Sequence, residues 1–255
     1  VPFVPGLKVA DTSGDADISK EFKTSIHDFC IAKNVRKLCD GGVGVFITTA
    51  GSMDGTGRLY KWLANRENAD IVGMFRMHNE TFGGTNATSD IIVVRKRVNG
   101  VKSPLAIDCS LTTGVRTAEY NTGETKKVKN VGEVPIIKTL SMSYNRYYVE
   151  HPEYMAGEMH FGFEKGDTSF RPESKGLYPV KEKDQSQLLS QWVEDMKRNL
   201  ADTAEETAPS VMNHRDEYVP TYDKVGNEVK TGTIVVDSQG RICVNYDGTA
   251  RPLMS

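Results

Sequence analysis

Three apolar stretches of strand length stand within the first hundred residues, and they limit what this chain can fold into. They are VGVFITT (43–49), DIVGMFRM (70–77) and the stretch 89–97, which holds Ile91, Ile92, Val93 and Val94 in succession. A β-branched run with no polar alternation suits a strand buried on both faces. Helical patterns stand between and before these stretches. Ser25 is placed to cap a helix with Asp28 at its third position. Ile31, Val35, Leu38 and Cys39 then share one helical face, and Asp40-Gly41-Gly42 closes it, because glycine enters the left-handed region cheaply. Residues 51–57 read as a loop, and Arg58 to Glu67 as a second helix with Leu59, Trp62 and Leu63 facing inward. Helix, strand, helix, strand, loop, strand is the order of an α/β sheet, here only part of one.

The remainder is less regular. Residues 101–180 hold polar and glycine-containing stretches with short apolar runs such as Val134 to Leu140. Residues 184–200 predict an amphipathic helix, with Leu188, Trp192, Met196 and Leu200 four apart and Leu189 and Val193 beside them. The acidic stretch Asp202 to Glu206 reads as a helix end or a solvated linker. Thr233–Val236 and Arg241–Tyr246 flank Asp237-Ser238-Gln239-Gly240 as a β-hairpin. The expected organisation is therefore an α/β part over 1–100, a mixed extension over 101–205 ending in the amphipathic helix, and a linker and hairpin region over 206–255.

Bulk properties remove several classes of function. With 255 residues, 38% of them hydrophobic, the chain can bury a real core. A net charge of −2 excludes nucleic-acid binding by global charge, so any such contact has to be a local patch. Lys126, Lys127 and Lys129 form a short basic run that reads as a solvated loop, with phosphate contact as the alternative. The four cysteines are scattered with no CxxC pair. Cys30 and Cys39 are read on one helix, too far apart to bridge, and all four are expected as reduced thiols of a cytoplasmic protein. No apolar run reaches 18 residues, so no membrane partner is expected, and the start of the chain lacks a signal-peptide pattern.

Several familiar chemistries are missing from the sequence. It has no GxxxxGK[ST] phosphate loop, no GxSxG nucleophile elbow, no HExxH and no spaced His/Cys set for zinc. The cluster Gly41-Gly42-Val43-Gly44 precedes a strand where a dinucleotide fingerprint follows one, so it reads as a helix end and tight turn. His27, His151, His160 and His214 have no evident partners along the chain, and Glu150-His151-Pro152-Glu153 reads as a turn. The odd feature is Phe82. It is one aromatic in the polar stretch HNETFGGTNATSD (78–90), followed by Gly83 and Gly84 and with no apolar neighbour in sequence.

Several segments together resemble the amino-group DNA methyltransferases that methylate adenine at N6, in particular the large methylase proteins of bacterial mobile elements, often joined to helicase sequences. Val1-Pro2-Phe3 resembles the tail of the Asn-Pro-Pro-Phe/Tyr motif, with Val1 where most members carry Pro and the motif's Asn falling just before Val1. IHDFCIAKNVRKLCDGGVGVFITTAGSMDG (26–55) resembles the helix, glycine turn and strand after that motif. FRMHNETFGGTNATSDIIVVRKR (75–97) resembles the segment with an aromatic loop before a core strand. YYVEHPEYMAGEM (147–159) resembles the stretch that follows the catalytic domain.

The resemblance implies the C-terminal part of a Rossmann-like, S-adenosylmethionine-dependent catalytic domain, from a restriction-modification or mobile-element protein. A base inside a duplex has to be flipped out to be methylated, and flat side chains hold it there. Phe3 matches the first such aromatic and Phe82 the second, with Gly83 and Gly84 admitting the nucleic acid backbone. The Pro2 carbonyl matches a group that, with the motif's Asn, accepts hydrogen bonds from the adenine amino group. The alternative for Phe82 is a ring folded back under its own loop, and for Phe3 a strand-end core residue. Most of the S-adenosylmethionine site is expected upstream, so the implied partners are DNA, the missing N-terminal half, a possible fused helicase and a second copy of this chain. No metal is implied. Two other readings remain: a non-catalytic DNA-binding or assembly module that keeps the fold, and an unrelated α/β protein with a complete sheet of its own.

Overall fold

The computed structural model describes residues 15–55, 57–83, 85–109, 111–166 and 171–207, and the strand segments 217–218, 234–236, 242–246 and 249–252. The chain divides into two compact units, 1–207 and 208–255.

The first unit is mixed α/β. Helices α1 (Ala16–Glu21) and α2 (Ile26–Arg36) lead into β1 (Val43–Thr49). Two short helices, α3 (Ala50–Asp54) and α4 (Arg58–Arg66), carry the chain to β2 (Ala69–Met77), and β3 (Ser89–Lys96) returns beside it. The strand order is β1-β3-β2. Both outer strands run antiparallel to β3, and therefore parallel to each other. The connection from β2 to β3 spans 78–88, shorter than the dozen or more residues a parallel crossover needs, so β3 folds back antiparallel. The β1-to-β2 connection is longer and carries two helices. The result is a β-α-β crossover with β3 slotted into its gap.

Burial explains why β2 and β3 were legible, whereas β1 was read from apolar composition although only Thr48 of its seven residues is buried. All nine residues of β2 are buried, as are seven of the eight in β3. Helix α6 (Gln185–Thr207) covers β2, with Trp192 on Phe75 at a ring-centroid separation of 5.6 Å. It approaches most closely at Gly73, where an added Cβ would meet Met196 Sδ at 2.6 Å. One apolar core runs from Ile18 to Met196, on both sides of residue 100.

The sheet's two outer strands are finished differently. Beside β2, Ala156 N–H donates to the Arg76 carbonyl at 2.9 Å and Met155 forms a parallel bridge to Arg76. No described strand pairs with the other edge of β1, and Val43, Val45 and Ile47 are exposed there on one face, Val45 at 64%.

From the same unit a long antiparallel ribbon extends, β4 (Leu111–Val128) with β5 (Gly132–Asn145). Helix α5 (Arg146–Glu150) and a 3-10 turn at Pro152–Tyr154 follow. β6 (Glu158–Phe161), a second 3-10 turn at Gly162–Lys165, and β7 (Lys175–Tyr178) then form a small hairpin sheet. The second unit holds a four-stranded antiparallel sheet of β8 (Glu217–Tyr218), β9 (Ile234–Val236), β10 (Ile242–Tyr246) and β11 (Thr249–Pro252), in the order β8-β11-β10-β9. The expected pairing of 233–236 with 241–246 is present, with Ile242 opposite Val236.

Several local expectations are corrected. Helix α2 ends at Arg36, so Cys39 lies beyond it, and the left-handed Gly41 (φ 73°) turns the chain into β1 rather than capping the helix. Ser25 Oγ donates to the Asp28 carboxylate at 2.8 Å instead of capping backbone amides. Part of the 51–57 loop is helix α3. The acidic stretch 202–206 keeps the helix-end reading rather than the linker one, since it forms the last turns of α6. Lys126 and Lys127 sit on β4 rather than in a loop.

Candidate functional site

Phe82 stands at the end of a loop tied down at both sides. On the incoming side, Gln185 Oε1 accepts from His78 N–H at 3.0 Å and from Thr81 Oγ1 at 2.9 Å. On the outgoing side, Thr88 Oγ1 accepts from Leu177 N–H at 2.7 Å, and the Thr88 carbonyl accepts from Ala50 N–H at 3.0 Å. Between them the Phe82 carbonyl accepts from Thr85 N–H at 3.3 Å, closing a turn. The sequence gives Phe82 no apolar neighbour within its loop, yet the half-buried ring is packed against the core. Gly83 beside it is exposed, and an added Cβ there would meet nothing within 4 Å.

Phe82 and Gly83 line a cavity of about 860 Å³. Its walls are Thr49–Gly51 at the end of β1, residues 82–83 and 85–89, and Ser174 to Gly176 with Tyr178 around β7, with His27 of α2 and Gly162 completing it. The size falls in the range of small-molecule sites. The lining holds two aromatic rings (Phe82 and Tyr178), one imidazole (His27), one ammonium (Lys175), several glycines and hydroxyls, and no carboxylate among the described residues. Such walls favour a flat, uncharged ring with polar edges over a cation. Burial holds His27 below the usual imidazole range, against the pull of Asp28.

A buried charge network fixes the floor behind these walls. Arg76 is fully buried. Its guanidinium forks onto Asp90, with Nε to Oδ1 at 2.7 Å and Nη2 to Oδ2 at 2.8 Å. It also forks onto Asp54, with Nη1 to Oδ2 at 3.0 Å and Nη2 to Oδ1 at 2.8 Å. Tyr148 stacks on the guanidinium at 4.3 Å and donates its hydroxyl to Asp90 at 3.1 Å. Burial alone would lower the Arg76 pKa. The charges of Asp54 and Asp90 overcome it and hold the group above the ordinary arginine value. Lys175 links this network to the cavity, its Nζ 3.4 Å from Asp54 Oδ2. Asp90 opens the β3 core and Asp54 closes α3, so the network sets where the Phe82 loop and the Thr49–Gly51 wall stand relative to each other.

Of the sequence-predicted site residues, Phe82 and Gly83 come together at the cavity. Pro2, Phe3 and Gly84 lie outside the described residues. Lys175, Tyr178 and His27 were not singled out as one site, and no local motif connects them to Phe82: β7 joins the wall from ninety residues away. Two histidines read as lacking partners have them. His151 Nδ1 lies 3.0 Å from Glu153 Oε1, and His160 Nδ1 lies 3.6 Å from Glu164 Oε2. Among the described residues no group of three or more His, Cys, Asp or Glu side chains is arranged to hold a metal ion.

No family model, curated protein or solved structure matches this chain.

Proposed function

We propose that this chain is part of a DNA methyltransferase that transfers a methyl group from S-adenosylmethionine to adenine N6, and that it supplies one wall of the pocket for the flipped base. The observation that carries this reading is the position of Phe82. It stands on a stapled loop, at an apolar cavity beyond the carboxyl ends of two parallel strands, β1 and β2. In open α/β sheets, ligands bind in the crevice outside the carboxyl ends of the strands. Stacking on an aromatic ring contributes roughly 1–3 kcal/mol per base, which offsets much of the few kcal/mol needed to unstack and unpair it.

The edge of β1 that no described strand pairs supports the rest of the reading. Both pairings in this sheet are antiparallel, which permits one solvated face, but β1 exposes Val43, Val45 and Ile47 without a charged residue to blunt its edge. A further strand from the N-terminal half of the same polypeptide is the proposed neighbour, with a second copy of this chain as its substitute when that half is missing. The described residues do not fit the methyl donor. The cavity lining has no carboxylate to hold a ribose diol. The S-adenosylmethionine site is therefore assigned upstream, the reacting groups to the motif ending in Pro2 and Phe3, and any helicase to a fused segment. The setting is cytoplasmic. No helix among the described residues is long and apolar enough to cross a membrane.

The test uses two forms of the protein, this chain and one extended upstream through the donor-binding half, each given radiolabelled S-adenosylmethionine and mixed-sequence DNA. Label at adenine N6 with the extended form alone is the expected result. Phe82→Ala should then lower transfer about 5- to 150-fold, the equivalent of one stacking contact. Absence of transfer by the extended form, with DNA still bound, would replace this reading with a non-catalytic DNA-binding or assembly module.

A further inference from the structure

The β4–β5 ribbon has two halves with different surroundings. Its base is fastened to the core. Asn145 Nδ2 donates to the carbonyls of Met53 (3.0 Å) and Cys109 (3.1 Å), and Asn145 N–H donates to Asp54 Oδ1 at 2.9 Å. Met142 is buried, Arg116 Nη1 donates to Glu164 Oε2 at 3.0 Å, and Tyr120 packs on Phe163 with ring centroids 5.1 Å apart. Beyond Tyr120 the strands have only each other, from Asn121 opposite Ile137 to Val128 opposite Gly132. Nearly every residue from 121 to 138 is exposed, on both faces of the ribbon. At about 3.3 Å per residue, this free part reaches roughly 25–30 Å.

An arm with both faces in water buries almost nothing to offset its ordering, and two-stranded ribbons on their own are marginal. Its composition is nevertheless specific. It carries Lys126, Lys127, Lys129 and Lys138 against Glu124 and Glu133, within a chain whose net charge is negative. Lys126 and Lys127, being neighbours on one strand, project to opposite faces, and Lys129 sits in the tip turn, where Asn130 takes a left-handed conformation (φ 69°). No ion pair joins Lys126, Lys127 or Lys129 to a described residue within 4 Å. Val128 and Val131 are exposed beside them.

We infer that this ribbon is a duplex-DNA-binding arm that enters a groove tip first, with Lys126, Lys127 and Lys129 on the flanking phosphates. The major groove is about 12 Å wide and admits a two-stranded ribbon. Lysines on both faces and at the tip meet the two phosphate walls; Glu133, across the ladder from Lys127, and Glu124, nearer the base, leave the arm with a net positive charge. The arm holds the substrate; Phe82 holds the extruded base. The choice of DNA as the duplex rests on the methyltransferase reading, whereas the arm itself rests on shape and charge.

The test is fluorescence anisotropy of this chain with a labelled mixed-sequence duplex of about 30 base pairs, titrated between about 50 and 200 mM salt, where phosphate contacts are most visible. The combined variant K126E/K127E/K129E should weaken binding at least tenfold, uniformly across sequences. It should reduce the slope of log K against log salt by about 3, roughly one per lost contact. A second variant, with residues 122–136 replaced by Asn-Gly to close the ribbon at its base, should bind as weakly while keeping the parent's melting temperature. Parental affinity and salt slope in both variants would overturn the arm, as would tighter binding of single strands than of duplex with the same lysine dependence. The two proposals fail separately. Lysine-dependent duplex binding without methyl transfer by the extended form keeps the arm and removes the enzyme. Methyl transfer with lysine-independent binding does the reverse.

Discussion

The β1-β3-β2 sheet and the β4–β5 ribbon are both antiparallel, but they are stable for different reasons. In the sheet, β3 is paired on both sides and buried on both faces, so each side chain contributes burial in addition to its ladder hydrogen bonds. In the distal ribbon the ladder is present and the burial is not. Backbone pairing sets the shape of both; only the sheet has side chains that resist unfolding. Evolutionary freedom should divide in the same way, with the sheet restricted by volume and the ribbon free to carry charge.

The largest effect should come from the charge network that anchors the sheet beside the cavity. Arg76→Met leaves Asp90 buried without its cation and Asp54 with Lys175 alone. Removing one member of such a pair typically costs about 3–5 kcal/mol, so chemical denaturation should show a large fall in midpoint or no folded protein at all. A shift under about 1 kcal/mol would mean that water reaches these carboxylates and that the network does not fix the floor.

Side-chain truncation then compares the two regions directly. Ile92→Ala in β3 removes fully buried methyls and should cost about 2–5 kcal/mol. Ile137→Ala on the exposed ribbon should stay within about 0.5 kcal/mol. Similar losses at both sites, measured by urea titration, would show that the ribbon is covered in solution and would break the contrast.

The same contrast accounts for what the amino-acid sequence made legible. Ile91 to Val94 mark β3 because burial on both faces demands an apolar run, and β2 and α6 were readable for related reasons, whereas β1 kept an apolar sequence with Val43, Val45 and Ile47 exposed. The ribbon was read as irregular, since strands exposed on both faces need no apolar alternation, and Val134 to Leu140 was its only trace. The antiparallel placement of β3 was implicit in the length of 78–88 but not in any residue type. At the site, Phe82 was legible as a misplaced aromatic. Its packing on the core was not, and neither were Lys175 and Tyr178, because tertiary folding alone brings β7 to that wall. The motif residues Pro2 and Phe3 lie outside the described region.

A pH titration gives a smaller, signed effect at the cavity wall. Burial lowers the folded-state pKa of His27 below its ordinary value of 6.5. As pH falls through about 6.5, the unfolded chain takes up a proton on this imidazole before the folded chain does, so stability declines on acidification below neutrality. His27→Gln should flatten the melting temperature between about pH 7 and pH 5 relative to the parent. An unchanged slope would place the acid sensitivity elsewhere and His27 in contact with water.

The smallest change in stability is expected at the edge of β1, where the sheet takes on the ribbon's character. Among the described residues Val45 is paired on one side only, and it is exposed, so Val45→Lys should leave the urea midpoint within about 0.5 kcal/mol of the parent. Its effect should be on assembly. A flat apolar edge without a charge is a template for another strand, and one lysine is the usual means of blunting it. Sedimentation over a range of concentrations should show self-association of this chain that V45K reduces. In the form extended upstream, where the proposed neighbouring strand occupies that edge, V45K should instead destabilise the fold. If the extended form tolerates V45K as well as this chain does, the edge is a free surface of the complete protein, and the β1-β3-β2 sheet is whole as it stands.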